Sequence, residues 1–238
     1  MLFTRLLDAV ATTPSQCAVC HDWGTQRVCA LCVARFVPLL PRCGRCAIEV
    51  PAGTGLCGAC LTDPPPFERT LAAVDYTYPW DGLIAQFKFH SALDLGPALA
   101  QRLLDTFHRG GDPAPALFLP IPLSAERLRE RGYNQAWELA RRLARALNCR
   151  ADPNLLLRVK DTPHQLALAP DQRAGNVRAA FAVEPRRRAE LAGVTVTLVD
   201  DVMTTGATAS EAARALLHAG AARVHAWVVA RTPLDDAA

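Results

Sequence analysis

From residue 71 onward the hydrophobic period switches repeatedly between the spacing of a strand and that of a helix. Short apolar runs at 71 to 78 (LAAVDYTY), 116 to 122 (ALFLPIP), 194 to 199 and 223 to 230 read as strands, with two shorter ones at 154 to 159 and 179 to 183. Helical patterns lie between them, near 80 to 89, at 95 to 108, around 133 to 147 and at 208 to 219. In the third of these, Ala136, Trp137, Ala140, Leu143, Ala144 and Leu147 recur at helical spacing. Strands that alternate with helices predict an α/β fold whose mostly parallel sheet is flanked by helices. Ligands of such sheets bind beyond the carboxyl ends of the strands.

The first quarter of the chain is organised by cysteine instead. Eight of the nine cysteines form C-x2-C pairs: Cys17/Cys20, Cys29/Cys32, Cys43/Cys46 and Cys57/Cys60. A C-x2-C turn aims two thiolates at one point, and two such turns complete a tetrahedral zinc site. Eight ligands call for two structural Zn2+ ions in a double zinc ribbon, with no coordination position left open for chemistry. Spacing allows the pairs to combine sequentially or to interleave. A disulfide framework would suit an exported chain, but the start, MLFTRLLDAVA, carries Arg5 and Asp8 within its apolar pattern and reads as a short amphipathic helix, not a signal peptide. Cys149 stands outside the array and is expected to be an ordinary small core or surface residue. The three prolines of LTDPPPFERT cannot continue a helix or a central strand. They divide the chain into 1–62, the N-terminal helix with the ribbons, and 67–238, the α/β domain.

Composition narrows the picture. Half of the 238 residues are apolar, enough for a sizeable core, and no apolar run approaches the ~20 residues of a membrane span. A cytoplasmic location is expected. The net charge of +3 demands no anionic partner, yet residues 127 to 188 hold 14 Lys and Arg against 6 Asp and Glu. An anionic partner would meet that section.

The candidate chemistry sits in VTLVDDVMTTGATAS, 196 to 210. A strand runs into two adjacent carboxylates, Asp200 and Asp201, and then into a turn of small residues, Thr204, Thr205, Gly206, Ala207 and Thr208, that opens a helix. Backbone N–H groups and hydroxyls of that turn can surround a phosphate at the helix N-terminus, where the macrodipole favours negative charge. The carboxylates can accept hydrogen bonds from a vicinal diol. A phosphorylated sugar fits both halves, whereas a plain capped helix would leave the paired acids unexplained.

This stretch resembles the signature of the type I phosphoribosyltransferases, except that Thr197 stands where an aliphatic residue is preferred. Together with the cysteine pairs, LIAQFKFHSALDLGPALA (83 to 100), PIPLSAERLRERGYNQAWELAR (120 to 141) and RVKDTPHQLALAPDQRAGNVRAAF (158 to 181), it resembles the ComF/GntX family, competence-associated proteins that join a double zinc ribbon to a phosphoribosyltransferase-like domain. The resemblance implies that Asp200 and Asp201 bind the ribose hydroxyls of phosphoribosyl pyrophosphate (PRPP), that 204 to 208 hold its 5′-phosphate, and that Mg2+ accompanies the diphosphate. It also implies a pyrophosphate site, for which Ser124, Arg127, Arg131, Arg158, Lys160 and Arg173 are the candidates, and a mobile loop carrying Thr162, Pro163, His164 and Gln165. Arginine suits pyrophosphate because its planar fork donates two hydrogen bonds to one phosphate. Arg129, Arg141, Arg142 and Arg145 read as a solvated helix face, while Tyr133, Asn134 and Gln135 fit the site and a structural role equally. Lys88 reads by default as a snorkelling surface lysine.

The implied activity is phosphoribosyl transfer to an acceptor the sequence does not identify, with release of pyrophosphate. Two alternatives keep the fold for binding only: a nucleic-acid-handling competence protein, with single-stranded DNA or DNA-uptake proteins as partners, and a PRPP sensor.

Overall fold

The structure, a computed structural model, describes residues 14–111, 113–159 and 180–234. The expected helix in the first eleven residues and the loop readings at 162 to 165 lie outside them.

Each cysteine knuckle repeats one small plan. In the first, the two-residue strands β1 (Ser15–Gln16) and β2 (Trp23–Gly24) pair antiparallel, and helix α1 (Ala30–Phe36) starts directly after Cys29. In the second, α2 (Gly58–Thr62) starts directly after Cys57. Each helix therefore carries its second C-x2-C pair at its N-terminus.

The α/β part contains β3 (Arg69–Asp75), α3 (Trp80–Phe89), α4 (Gly96–Gly110), β4 (Leu117–Pro120), α5 (Ala125–Arg131), α6 (Gln135–Ala146) and β5 (Arg150–Ala151). Then come β6 (Leu156–Arg158), β7 (Phe181–Val183), β8 (Thr195–Met203), α7 (Ala207–His218) and β9 (Arg223–Arg231). Five strands form a parallel sheet in the order β3-β9-β8-β4-β5, while β6 and β7 make a separate antiparallel pair. Because successive strand residues face opposite sides, the sheet feeds two cores. Phe118, Val199, Trp227 and Val229 meet α3, α4 and α6 on one face. Leu119, Leu198, Ala226 and Val228 meet Ala212, Ala213 and Leu216 of α7 on the other.

One expected boundary is corrected. The apolar run of β8 ends at Val199, but pairing with β9 continues to Met203↔Arg231. Asp200 and Asp201 are thus residues of the strand and do not follow it. The pairing of β8 with β4 stops earlier, at Pro120↔Val199. Past that point, among the described residues, β8 is bonded on the β9 side and open on the other, so the two acids lie on a strand edge that β4 has vacated.

Candidate functional site

The cysteines settle their own pairing. Sulfurs of Cys17, Cys20, Cys29 and Cys32 lie within 4.8 Å of one another, and so do those of Cys43, Cys46, Cys57 and Cys60. First pairs with second, and third with fourth. Contacts of 3.8 Å (Cys17 to Cys32), 3.7 Å (Cys20 to Cys29) and 3.6 Å (Cys46 to Cys57) match the edge of a tetrahedron built on Zn–S bonds of about 2.3 Å. They are far too long for a disulfide. The Cys29 and Cys57 amides donate to Cys17 Sγ (3.4 Å) and Cys43 Sγ (3.3 Å). Burial would raise these two thiols, but the backbone N–H groups outweigh it and bring both down to about 6. Each group is compatible with a structural zinc ion. Cys149 lies apart and half-buried, with burial pushing its thiol up.

At the carboxyl end of the sheet a cleft of about 540 Å³ opens beside the vacated edge of β8. Asp200, Asp201, Thr204, Thr208, Arg127, Arg131 and Arg158 all line it. A smaller pocket of about 40 Å³ is enclosed by Asp200 and residues 202 to 209. Gly206 caps α7 with φ +80°, a left-handed conformation that suits glycine, and the first residues of the helix, Ala207 to Ala209, line the pocket, with the Ala207 amide donating to Thr205 Oγ1 at 3.3 Å.

The two acids divide their roles. Asp201 is 2 % exposed, and its Oδ1 accepts from the Val202 amide at 2.8 Å. Lys88, near the end of α3, places Nζ 3.0 Å from Asp201 Oδ2 and 3.3 Å from Oδ1. Lys88 is therefore not a snorkelling surface residue. Burial works against its ammonium, but Asp201 and Asp200 outweigh that and hold its pKa above the usual lysine value. Asp200 accepts from the Asp201 amide at 2.9 Å. Burial, then the neighbouring Asp201 charge, pushes the Asp200 carboxyl up to about 8, with Lys88 opposing. Lys88 is the cation that faces the pair.

The remaining candidates separate cleanly. Ser124 is buried and its Oγ caps α5 by accepting from the Arg127 amide at 3.3 Å. Asn134 caps α6, accepting from the Ala136 and Trp137 amides and donating to the Ile121 carbonyl at 3.1 Å. Tyr133 donates to the Phe87 carbonyl, and Arg131 donates to the buried Gln135 side chain. Tyr133 and Asn134 thus hold the walls of the cleft, and Gln135 also lines it. Arg141 and Arg142 pair with Glu138 on α6. Lys160 and Arg173 lie outside the described residues. Sequence reasoning gave Lys88 only its default surface reading and passed over Arg231, whose guanidinium donates to the Met203 and Thr204 carbonyls at the start of the turn. The signals were faint: one of only two lysines in the chain, set between phenylalanines, and an arginine closing an apolar strand.

A parallel sheet with paired acids on an open strand edge, followed by a glycine-capped turn into a helix, defines a phosphoribosyltransferase-type fold, and the family model "Phosphoribosyl transferase domain" matches residues 134–236. The DNA utilization protein YhgH of Salmonella typhi is 36 % identical over 233 residues, which cover 93 % of this chain and 99 % of that protein. YhgH of Escherichia coli (strain K12) is 34 % identical over 231 residues, with the same coverage of 93 % and 99 %. Competence protein F of Haemophilus influenzae is 32 % identical over 208 residues, 86 % of this chain and 90 % of its own. The chain belongs to this ComF/GntX family, and its two four-cysteine groups fit the family's double zinc ribbon.

Proposed function

We propose that the chain binds PRPP and transfers its phosphoribosyl group to an acceptor, releasing pyrophosphate. The observation that carries this reading is that the Asp200–Asp201 pair and the 204-to-208 turn border one cleft, so that a diol and a 5′-phosphate of one sugar reach both. In the reaction the anomeric carbon loses its bond to pyrophosphate oxygen and gains one to the acceptor's nucleophilic atom, whose proton passes to the departing pyrophosphate or to solvent. Arg127, Arg131 and Arg158 line the same cleft and are suited to the leaving diphosphate; Lys160 and Arg173 belong to the same proposal. The hard carboxylate oxygens of Asp200 and Asp201 also fit a magnesium ion, which would neutralise charge on the diphosphate. The division at 62 to 67 goes with this reading, the ribbons before it and the transferase unit after it.

The test is calorimetric titration of PRPP with Mg2+ into wild type and into Asp200→Asn/Asp201→Asn. Wild type binds and the double variant loses at least ~100-fold in affinity, as expected when charge-assisted hydrogen bonds to both hydroxyls go. No binding by folded, zinc-loaded wild type overturns the proposal.

One surface feature favours a second reading, nucleic-acid handling. Phe89 is 59 % exposed on the cleft, with Lys88 and Arg131 at 5.8 and 5.2 Å from its ring centroid, an aromatic face flanked by cations that suits base stacking. Single-strand binding that weakens steeply with salt, in a protein that ignores PRPP, would move that reading to first place.

A further inference from the structure

The two cysteine knuckles join the α/β part in different places. The first packs on the side of α3: Cys17, Val28 and Cys32 share a cluster with Trp80, whose Nε1 donates to the Phe36 carbonyl at 2.7 Å, and Arg27 pairs with Asp94 at 2.6 Å. The second runs along β3, where the Gly44 carbonyl accepts from the Thr70 amide at 3.3 Å and Arg42 reaches Asp75 at 2.8 Å. From there it meets the phosphate turn.

Arg231 makes that junction. It closes β9, is only 6 % exposed, and its guanidinium faces backbone carbonyls. Nε donates to the Cys46 carbonyl at 2.9 Å. Nη1 donates to Met203 at 3.1 Å, to Thr232 at 2.7 Å and to Thr204. One side chain thus ties a cysteine of the second knuckle to the last strand residue and the first turn residue of the phosphate site. A buried guanidinium is costly unless its donors are paired, so it holds these carbonyls in place and loses its own support if either set moves away. Apolar packing repeats the connection: Ala47, next to Cys46, shares a cluster with Phe67, Met203 and Ala209, and Phe67 lies 3.6 Å from the point a Cβ on Gly206 would occupy.

We infer that Arg231 is a positioning residue through which the second cysteine knuckle supports the phosphate turn, so that loss of the metal held by Cys43, Cys46, Cys57 and Cys60 loosens residues 204 to 208. With the four sulfurs tied to one ion, the Cys46 carbonyl is fixed; without it, a knuckle of this size has little core of its own and opens. Among the described residues the first knuckle has no such connection to the turn, so the two metal sites differ in consequence. The effect on PRPP rests on the function proposed above; the effect on the turn does not.

Hydrogen exchange on the full-length protein tests this directly. Chelation of zinc is expected to speed exchange at 204 to 208 by about tenfold or more, together with 43 to 60, while β4 stays protected. Cys20→Ser, which disables the first knuckle alone, leaves the turn protected. Arg231→Met loosens the turn while zinc stays bound, and Arg231→Lys, with one donor group in place of a fork, falls between. A turn that keeps its protection after metal loss overturns the inference, as does one loosened equally by Cys20→Ser, or a loss of protection that extends uniformly to β4. If Arg231→Met does not fold, the chelation and Cys20→Ser arms decide. By linkage, PRPP must raise zinc affinity at the second site by the same factor by which zinc loss weakens PRPP binding. PRPP that binds wild type without raising that affinity overturns the ligand part, whereas PRPP that does not bind at all overturns the proposed function and leaves the exchange result standing.

Discussion

Asp200 shows at the scale of one residue how a binding site is held against the interest of the fold. Its carboxyl titrates at about 8 in the folded chain, raised by burial and by Asp201, against 3.8 as the ordinary value. A raised acid leaves the folded state holding a proton that the unfolded state has lost. Stability from this group is therefore complete below about pH 4, declines as pH rises, and has been lost once pH passes about 8. Asp200→Asn removes the slope, and at pH 7 it is expected to stabilise the ligand-free protein by roughly 1–3 kcal/mol. Thermal melts of both proteins from pH 5 to 9 check this; a parallel offset with no change in slope would count against it. Thr197 makes a related point. It stands where an aliphatic residue is preferred, it is fully buried on β8, and its Oγ1 has no hydrogen-bond partner among the described residues. Thr197→Val keeps the shape and removes the stranded hydroxyl, so urea denaturation should show a gain of about 0.5–1.5 kcal/mol.

At the scale of elements, the outcome depends on where strands stop. Sequence pattern ended the eighth strand at Val199 because charged residues break an apolar run, yet hydrogen bonding ignores side-chain polarity and β9 pairs on to Met203. The early end of β4, where the chain turns away through Ile121 and Pro122, is what opens the cleft on the other side. Helix positions were legible: α3 spans Trp80–Phe89 as the periodicity predicts, and α7 begins one residue before its expected start. What α3 does was not legible. Its Lys88 crosses to Asp201 and joins that helix to the acid pair on β8. Lys88→Met leaves a buried carboxylate without its cation, and a loss of about 1–3 kcal/mol is expected in urea denaturation with an unchanged m-value, less than for a fully buried pair because the lysine is partly solvated. An unaltered midpoint would show that the contact contributes nothing.

For the whole molecule, the ribbons are built into both sides of the α/β part, the first against α3 and the second against β3 and the 204-to-208 turn. Removing zinc should unfold residues 17 to 60, because metal binding and folding are coupled at such sites. Retention of NMR dispersion and protease resistance there after chelation would sink the structural-zinc reading. Among the described residues no helix is long and apolar enough to cross a membrane, which matches the absence of a long apolar run in the chain. The sequence alone determined the cysteine pairs that could hold metal, most of the alternation of strands and helices, and the acid pair with the small-residue turn after it, because all of these are written in local spacing: two residues between cysteines, a period of two or 3.6, a glycine where φ must be positive. The short helix α5 (Ala125–Arg131) was not legible in that way. Tertiary structure decided how the cysteine pairs combine, that the acids lie on an open strand edge, and which distant cations serve them. Lys88 reaches Asp201 across 113 positions and Arg231 reaches Cys46 across 185. No local pattern encodes such contacts, because they exist only once separate elements have packed.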